Sequence, residues 1–305
     1  MTDYKKIIKS QRVRFIILDF LLFIPDKVML KWQYRLKLGR SLNWNHPNRF
    51  TEFIQLYKTK YRNPEMFRCV DKLEVREYVK DKGQEDILNQ LLGVYQDATK
   101  IDFSKLPQKF VIKTTNGGGG ENVLICKDSS ALNQKEVIEK VNGWLKLKTV
   151  NSGREWAYDG ITEPKIIIEK LLEDDSNPDG GIDDYKILCF NGEPKIVIFD
   201  CDRYIGHKRN FYDTDWNLLD VSSDCPNKKE TIDPPKGLDK MLSIAKILSR
   251  DFPFVRVDLY NINGRIYFGE LTFYPWSGYV QFTPDSFDFQ LGSYFNKKIF
   301  ESKNN

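Results

Sequence analysis

KFVIKTTNGGGG, residues 109–120, is the stretch on which the reading of this chain turns. Phe110-Val111-Ile112-Lys113 is a short apolar run of strand type, introduced by Leu106-Pro107. It leads through Thr114-Thr115-Asn116 into Gly117, Gly118, Gly119 and Gly120. A second apolar run, Val123-Leu124-Ile125-Cys126, completes a hairpin around the glycines. Glycine lets a backbone fold closely over phosphates and aim its N–H groups at them, and Lys113 adds a positive charge nearby. No Gly-Lys-Ser/Thr follows and no helix opens directly after the glycines, so this is not a Walker A loop; it does not match GxGxxG either. Taken alone, a glycine run is as readily a flexible turn.

Outward from this hairpin the chain alternates helices and strands. Residues 1–65 read as mostly helical, broken at Pro25, Gly39 and Asn45-His46-Pro47. Asp71 followed by Glu74 resembles a capping box opening a helix over 72–82. A further helix spans about 133–148, and Ile166-Ile167-Ile168-Glu169 is a strand of buried type. Residues 174–184 form a polar loop, expected to be a subdomain hinge. Strands follow at 185–190 and 194–200 around Asn191-Gly192, a type I′ turn signal. A helix over 238–249 precedes a hairpin of 255–260 and 265–271 that turns at Asn263-Gly264. The fold class is α+β, with antiparallel hairpins separated by helices and no internal repeat.

The last hairpin carries the second chemical signal. Asp258 shares strand parity with Arg256, and Glu270 lies on the partner strand. Two carboxylates across a hairpin beside an arginine can hold Mg²⁺ and neutralise a phosphoryl group. A surface salt-bridge cluster is the plainer alternative. The apolar neighbours Phe254, Val255, Val257, Leu259, Phe268 and Leu271 argue against a solvated face, and buried carboxylates need a cation or a donor.

In their order these motifs resemble the ATP-grasp superfamily, and within it the TupA-like branch, named for a teichuronopeptide-biosynthesis protein. The resemblance runs from about Lys27 to about Gly292. It rests on residues 43–50 with Glu52-Phe53, 71–79, 109–120, 167–173, Asp184-Tyr185-Lys186, 207–213, and 252–260 with 268–272. It implies two α+β subdomains clamping ATP, divided here as an N-terminal helical extension (1–65), the N-terminal and small subdomains with the glycine loop (66–173), and a large subdomain with the Mg²⁺ site (174–305). Lys72 would sit beside the nucleotide, with Lys113 holding phosphates under the glycine loop. Glu169 would accept from the adenine amino group, and the backbones of Lys170 and Leu172 would read the ring edge. Lys186 stands where related ligases carry an arginine on the γ-phosphate. Asp258 and Glu270 would bind Mg²⁺, with Arg256 stabilising transferred charge. Thr272 replaces the usual asparagine as a weaker ligand. The usual Gly-Glu after the hinge is missing, which leaves Glu173 as the candidate ribose contact. The phosphate loop also lacks the serine often found there.

The resemblance implies an ATP-dependent carboxylate–amine ligase of surface or capsular polysaccharide assembly. A carboxylate, expected to be a uronic acid, would be activated as an acyl phosphate and joined to an amino acid or amine. Lys186, Arg256 and Arg209 are the candidate catalytic residues. Arg203, His207 and Lys208 cluster with Arg209, either as a solvated charged loop or as a carboxylate site. Trp276 and Ser277 follow the metal hairpin, where Trp276 and Tyr279 could stack on a sugar face or simply pack the loop. Trp32, Trp44 and Trp144 read as core, and Arg40 and Arg49 receive no chemistry. A sugar phosphotransferase, or a non-catalytic nucleotide-binding partner of a glycosyltransferase complex, are the rival readings.

Composition excludes other classes. The 305 residues are 41% hydrophobic and 30% charged, which suits a globular protein and not a disordered chain. Five scattered cysteines without CxxC spacing and two histidines suggest neither a zinc site nor a redox dithiol, but reduced thiols in a cytoplasmic protein. The net charge of +4 calls for no nucleic acid. Its distribution is uneven: residues 1–40 hold ten basic and three acidic side chains, a local +7, so the other 265 carry −3. The longest apolar run, Phe15 to Ile24, is ten residues and includes Asp19. That is far short of the roughly 20 a spanning helix needs. It reads either as a helix docked on the body of the protein or as a basic–apolar helix lying on the anionic inner leaflet.

Overall fold

The computed structural model describes residues 20–117, 122–146, 153–175 and 177–300. Two antiparallel sheets organise them. The smaller has the order β1-β4-β2-β3, with β1 (Leu91–Tyr95), β2 (Phe110–Thr114), β3 (Val123–Cys126) and β4 (Ile166–Lys170). The strand run, the second apolar run and their hairpin pairing are as the sequence predicts. Gly118, Gly119 and Gly120 lie outside the described residues.

Parity decides what each face of this sheet does. Phe110 and Ile112 of β2 and Ile166 and Ile168 of β4 point into one buried cluster. Val137 and Val141 of a helix at Gln134–Leu145 close that cluster. Asn133 caps this helix through the Glu136 N–H. The alternate positions, Lys113 and Glu169 among them, therefore face the other way.

The larger sheet has the order β10-β9-β5-β6-β7-β8. Its strands are β5 (Asp184–Phe190), β6 (Glu193–Cys201), β7 (Lys208–Tyr212), β8 (Leu218–Leu219), β9 (Phe254–Ile262) and β10 (Arg265–Thr272). The type I′ turn expected at Asn191-Gly192 forms, with φ 52° and 79°, and the turn at Asn263-Gly264 has a matching positive pair, 54° and 92°. One face packs on the helix Leu238–Ser249, where the Cys189 thiol reaches the Ala245 carbonyl. The opposite face is apolar at one end, with Leu188, Phe190 and Phe254 buried, and charged at the other. The charged end is the candidate site.

The apolar end is closed by the helix Phe50–Lys60, whose first nine residues are all buried. Phe50 stacks edge-on against Phe254 and Phe190, at ring-centroid distances of 5.3 and 6.3 Å. A helix buried all round must satisfy its polar side chains internally. Glu52 accepts from the backbone N–H groups of Asn43, Asn48 and Arg49. Thr51 is held by Asp288, whose carboxylate also receives Arg40 at 2.6 Å. Arg40 and Arg49 thus tie the N-terminal helices to the helix Ser286–Ser293. Arg49, with Arg40 beside it, holds the Asp285 carboxyl down at about 2.

Buried side chains divide the chain differently from the partition at residues 65 and 173. One cluster runs from Leu30 to Ile87, takes in Ala157, and continues from Tyr185 to Phe300. The other belongs to the small sheet alone, from Ala98 to Ile168. Residues 26–88 are thus structural members of the large lobe. Trp44 is buried as expected, but Trp32 is 60% exposed: on the helix Asp26–Leu38 it falls on the side away from Met29, Leu30, Gln33, Tyr34 and Leu38.

Truncating Phe50 to alanine should cost about 3–5 kcal/mol, because several aromatic rings would line the cavity it leaves. Denaturant unfolding of the variant measures this. A loss below about 1 kcal/mol would mean that the helix is not the closure of the core.

Candidate active site

Cross-strand register gathers the charged residues on one sheet face. Lys186 of β5 sits opposite Asp258 of β9, and Asp258 sits opposite Glu270 of β10. Asp184 pairs with Asp200, and Asp200 with Arg209. Glu270 reaches this face because the ladder slips between Phe268 and Glu270. The extra residue is Gly269, where a Cβ would lie only 2.9 Å from the Asp258 carbonyl oxygen. Without that bulge Glu270 would share the core face with Phe268.

Arg256 is the centre of the cluster. Its Nε and Nη2 donate to the two oxygens of Asp258 at 2.7 Å each. Nη2 also reaches Glu270 Oε1 at 3.2 Å and Thr272 Oγ1 at 3.0 Å. Lys186 Nζ donates to Asp258 at 3.1 Å and to Asp184. Burial opposes the Lys186 ammonium, but Asp258 and Asp184 outweigh it and hold its pKa above the ordinary lysine value. Arg256 is held charged in the same way, burial being overcome chiefly by Asp258. Asp184 is pushed up, first by burial, and its second oxygen has no hydrogen-bond partner. Lys186 and Arg256 are thus both paired with carboxylates, and cations and carboxylates alternate on this face.

The small sheet supplies the opposing wall. Lys113 Nζ and Arg76 Nη1 both reach the Glu169 carboxylate at 2.8 Å. Lys72 donates to the Gly117 carbonyl at the root of the glycine turn. Burial lowers the Lys72 pKa, opposed first by the field of Glu270. Lys113, by contrast, adds to the lowering, and Asp71 and Glu169 oppose it.

The remaining predicted residues fall in distinct places. The Lys170 N–H goes to the Gln90 carbonyl and its own carbonyl accepts from Asn89. Both backbone groups of Lys170 thus already have a partner, the carbonyl's being the Asn89 side-chain amide; Leu172, half-buried, lies beyond the strand end. Glu173 is ion-paired with Lys109 at 2.9 Å on the surface. Arg203 pairs with Asp184 at 2.8 Å and is 44% exposed. His207 sits 3.4 Å from Asp200 and 3.3 Å from the Cys225 thiol. Lys208 opens β7 on the opposite face from Arg209. Arg209 is taken up by Asp200, at 2.6 and 2.8 Å, and by Asp224, and its guanidinium lies 5.3 Å from the Trp276 ring centre. That geometry makes Arg209 a support for Trp276.

Ser277 is a correction. Trp276 and Ser277 both adopt left-handed backbone conformations, φ 51° and 54°, an arrangement that must be held from outside. Lys58 Nζ donates to the Ser277 carbonyl at 2.8 Å and to its hydroxyl at 2.9 Å, and that hydroxyl donates to Glu155. Gln55 adds two bonds to the Ser277 and Gly278 carbonyls. Ser277 therefore fastens the turn that presents Trp276; its hydroxyl is not offered to a substrate. Sequence reading also missed Arg76, Asp184, Asp200 and Lys58. For Asp184 a signal existed, since it shares strand parity with Lys186 as Arg256 does with Asp258.

The profile of the TupA-like ATPgrasp family matches residues 52–296. The chain belongs to this family. Its two antiparallel sheets are accordingly those of an ATP-grasp fold. Solved structures that it resembles include D-alanine–D-alanine ligase from Bacillus anthracis, at 18% identity over 67% of this chain and 56% of that one, TM-score 0.40. Others are L-amino acid ligase from Bacillus licheniformis (16%, 69% and 44%, TM-score 0.41) and phosphoribosylamine–glycine ligase from Thermotoga maritima (14%, 68% and 48%, TM-score 0.40). The chain spans about half the length of these proteins. No curated protein matches the sequence. Among the described residues no helix is long and apolar enough to cross a membrane.

Burial without a full counter-charge brings the Lys58 amine down to about 7, against an ordinary 10.5. The unfolded chain then binds more protons than the folded one between those values, so stability rises with pH across that window. Comparing denaturant unfolding of wild type and Lys58→Met from about pH 7.5 to 9 should show their difference growing by roughly 1 kcal/mol per pH unit in favour of the wild type. A difference flat in pH would contradict this assignment.

Proposed function

We propose that this ATP-grasp protein is an ATP-dependent, ADP-forming carboxylate–amine ligase acting on a sugar acid of surface-polysaccharide assembly. The observation that carries the reading is the row Glu270–Asp258–Lys186 with Arg256 beside it on the large sheet, together with Lys113 and Arg76 on Glu169 of the small sheet. Such a site sets Lys186 and Arg256, each held by carboxylates, where phosphoryl oxygens would develop negative charge, with donors fixed before the reaction. In this reading a substrate carboxylate oxygen attacks the γ-phosphorus of ATP, the bond to ADP breaks, and an amine then displaces phosphate from the acyl phosphate.

The residues suit these roles. Lys186 and Arg256, both held charged, would stay with the transferring group through the step. Lys113 would leave Glu169 for phosphate, which frees the carboxylate, still oriented by Arg76, to accept from an adenine amino group. Asp258, Glu270 and the Thr272 hydroxyl form a hard oxygen set of the kind Mg²⁺ takes, with Glu270 half-exposed toward the cleft. When bound there, the ion would neutralise phosphate charge. Cysteine chemistry is disfavoured: burial raises the thiols of Cys69, Cys126, Cys189, Cys201 and Cys225, so none is a ready thiolate. For the substrate, the Trp276 ring beside Arg209, and the half-exposed Arg203, suit a uronic acid, whose ring would stack and whose carboxylate would pair.

The test is ADP release with pooled uronates, free or nucleotide-linked, and amino acids. Release should depend on both the acid and the amine, and Glu270→Gln should lower it by about 100-fold or more while leaving the melting temperature nearly unchanged. A phosphorylated sugar formed without amine would make the protein a phosphotransferase. Tight ATP binding with no turnover on any pool would make it a binding module.

A further inference from the structure

The helix Asp26–Leu38 has two faces of different character. Inward, Gln33 accepts from the Tyr279 hydroxyl at 2.6 Å, Tyr34 meets Thr51 at 2.8 Å, and the Lys37 ammonium lies 3.9 Å from the Tyr279 ring centre. This side therefore leans on the segment that follows the Trp276 turn. Outward, Val28, Trp32 and Leu36 are all exposed at i, i+4 and i+8, which makes one continuous apolar stripe. Phe20 and Phe23, 79% and 77% exposed, extend the apolar surface at the helix's N-terminal end. Arg154 fixes that end by donating to the carbonyls of Leu21 and Leu22 and pairing with Asp26 at 2.8 Å.

The row next to the apolar stripe is basic. Lys27, Lys31 and Arg35 are exposed at the same spacing, displaced by one position. The helix's one acidic residue, Asp26, is already committed to Arg154. The sequence before it adds Lys5, Lys6, Lys9, Arg12 and Arg14. A stripe of large apolar side chains flush against a row of cations matches an anionic lipid surface, where the apolar groups enter the acyl boundary and the cations meet headgroups. A second copy docking by the same face would bring two basic rows into one interface, which disfavours that occupant.

We infer that this outer face docks on an anionic bilayer, through Phe20, Phe23, Val28, Trp32 and Leu36 with Lys27, Lys31 and Arg35 at the headgroups. The docking is independent of the catalytic reading. If that reading also holds, the Trp276 side of the cleft lies near the membrane, where a lipid-carried sugar acid would be met. The apolar run Phe15 to Ile24, for which docking on the protein or on a leaflet is expected, lies partly outside the described residues, which begin at Phe20.

The test is sedimentation of the full chain with sucrose-loaded vesicles of phosphatidylcholine, with and without phosphatidylglycerol. The protein should sediment with the anionic vesicles and less so as salt rises. Val28→Ser/Trp32→Ser/Leu36→Ser should weaken partitioning on the order of a hundredfold. Lys31→Glu/Arg35→Glu should abolish the preference for phosphatidylglycerol. As a check that does not depend on the triple variant folding, brominated acyl chains should quench wild-type tryptophan fluorescence more than that of Trp32→Phe. Wild type remaining in the supernatant, a triple variant that sediments equally, or equal quenching in Trp32→Phe would each overturn the proposal. So would a wild-type dimer that the triple variant dissolves without any vesicle binding, which would make the face a contact between copies.

Discussion

Lys186 is an ammonium buried in the middle of a six-stranded sheet, and the large lobe is arranged to make that tolerable. An unpaired charge at such a place would deprotonate or unfold the strand around it. Asp258 on one neighbouring strand and Asp184 on its own strand supply the counter-charge, with Asp200 4.0 Å away on the other side. Each of those carboxylates carries a further cation: Arg256 on Asp258, Arg203 on Asp184, Arg209 on Asp200. The result is an alternation of charge across the sheet, nearly neutral as a whole. An anion with several oxygens can enter such a lattice by taking cations from carboxylates, with little new charge separation. This is the physical basis for reading the face as a phosphate site.

The same constraint explains how much could be read from the sequence. Strands, both Asn-Gly turns and the helix at 238–249 were legible because turn chemistry and apolar periodicity are local. Arg256 with Asp258 was legible from parity within one strand. Glu270 was named with Asp258, yet parity alone would have hidden how the two meet, since a bulge at Gly269 sets which face Glu270 takes. Glu169 and Lys113 were both named, but their pairing is a diagonal contact across two strands 56 residues apart in sequence. Arg76 and Lys58 reach the site from helices, and nothing in their immediate neighbours announces where those helices dock.

The N-terminal region shows where local reading misleads. Residues 1–65 look like an appendage because their charge differs from the rest. In the fold, nine of the eleven residues of the helix Phe50–Lys60 are buried in the large lobe, and its buried Gln55 and Lys58 hold the strained turn that displays Trp276. The preceding helix completes the arrangement, one side against Tyr279 and the other open. Closure of the core, the set of the Trp276 turn and the outward apolar stripe are thus consequences of how two adjacent helices pack.

The central claim is that cations now held by protein carboxylates are placed for the phosphates of ATP. Calorimetric titration of ATP into the full chain with Mg²⁺ present tests it most directly, alongside Lys113→Ala and Lys113→Arg. The account predicts saturable binding that Lys113→Ala weakens by about tenfold or more and Lys113→Arg largely restores. No binding of ATP, or binding that is indifferent to Lys113→Ala, would contradict it.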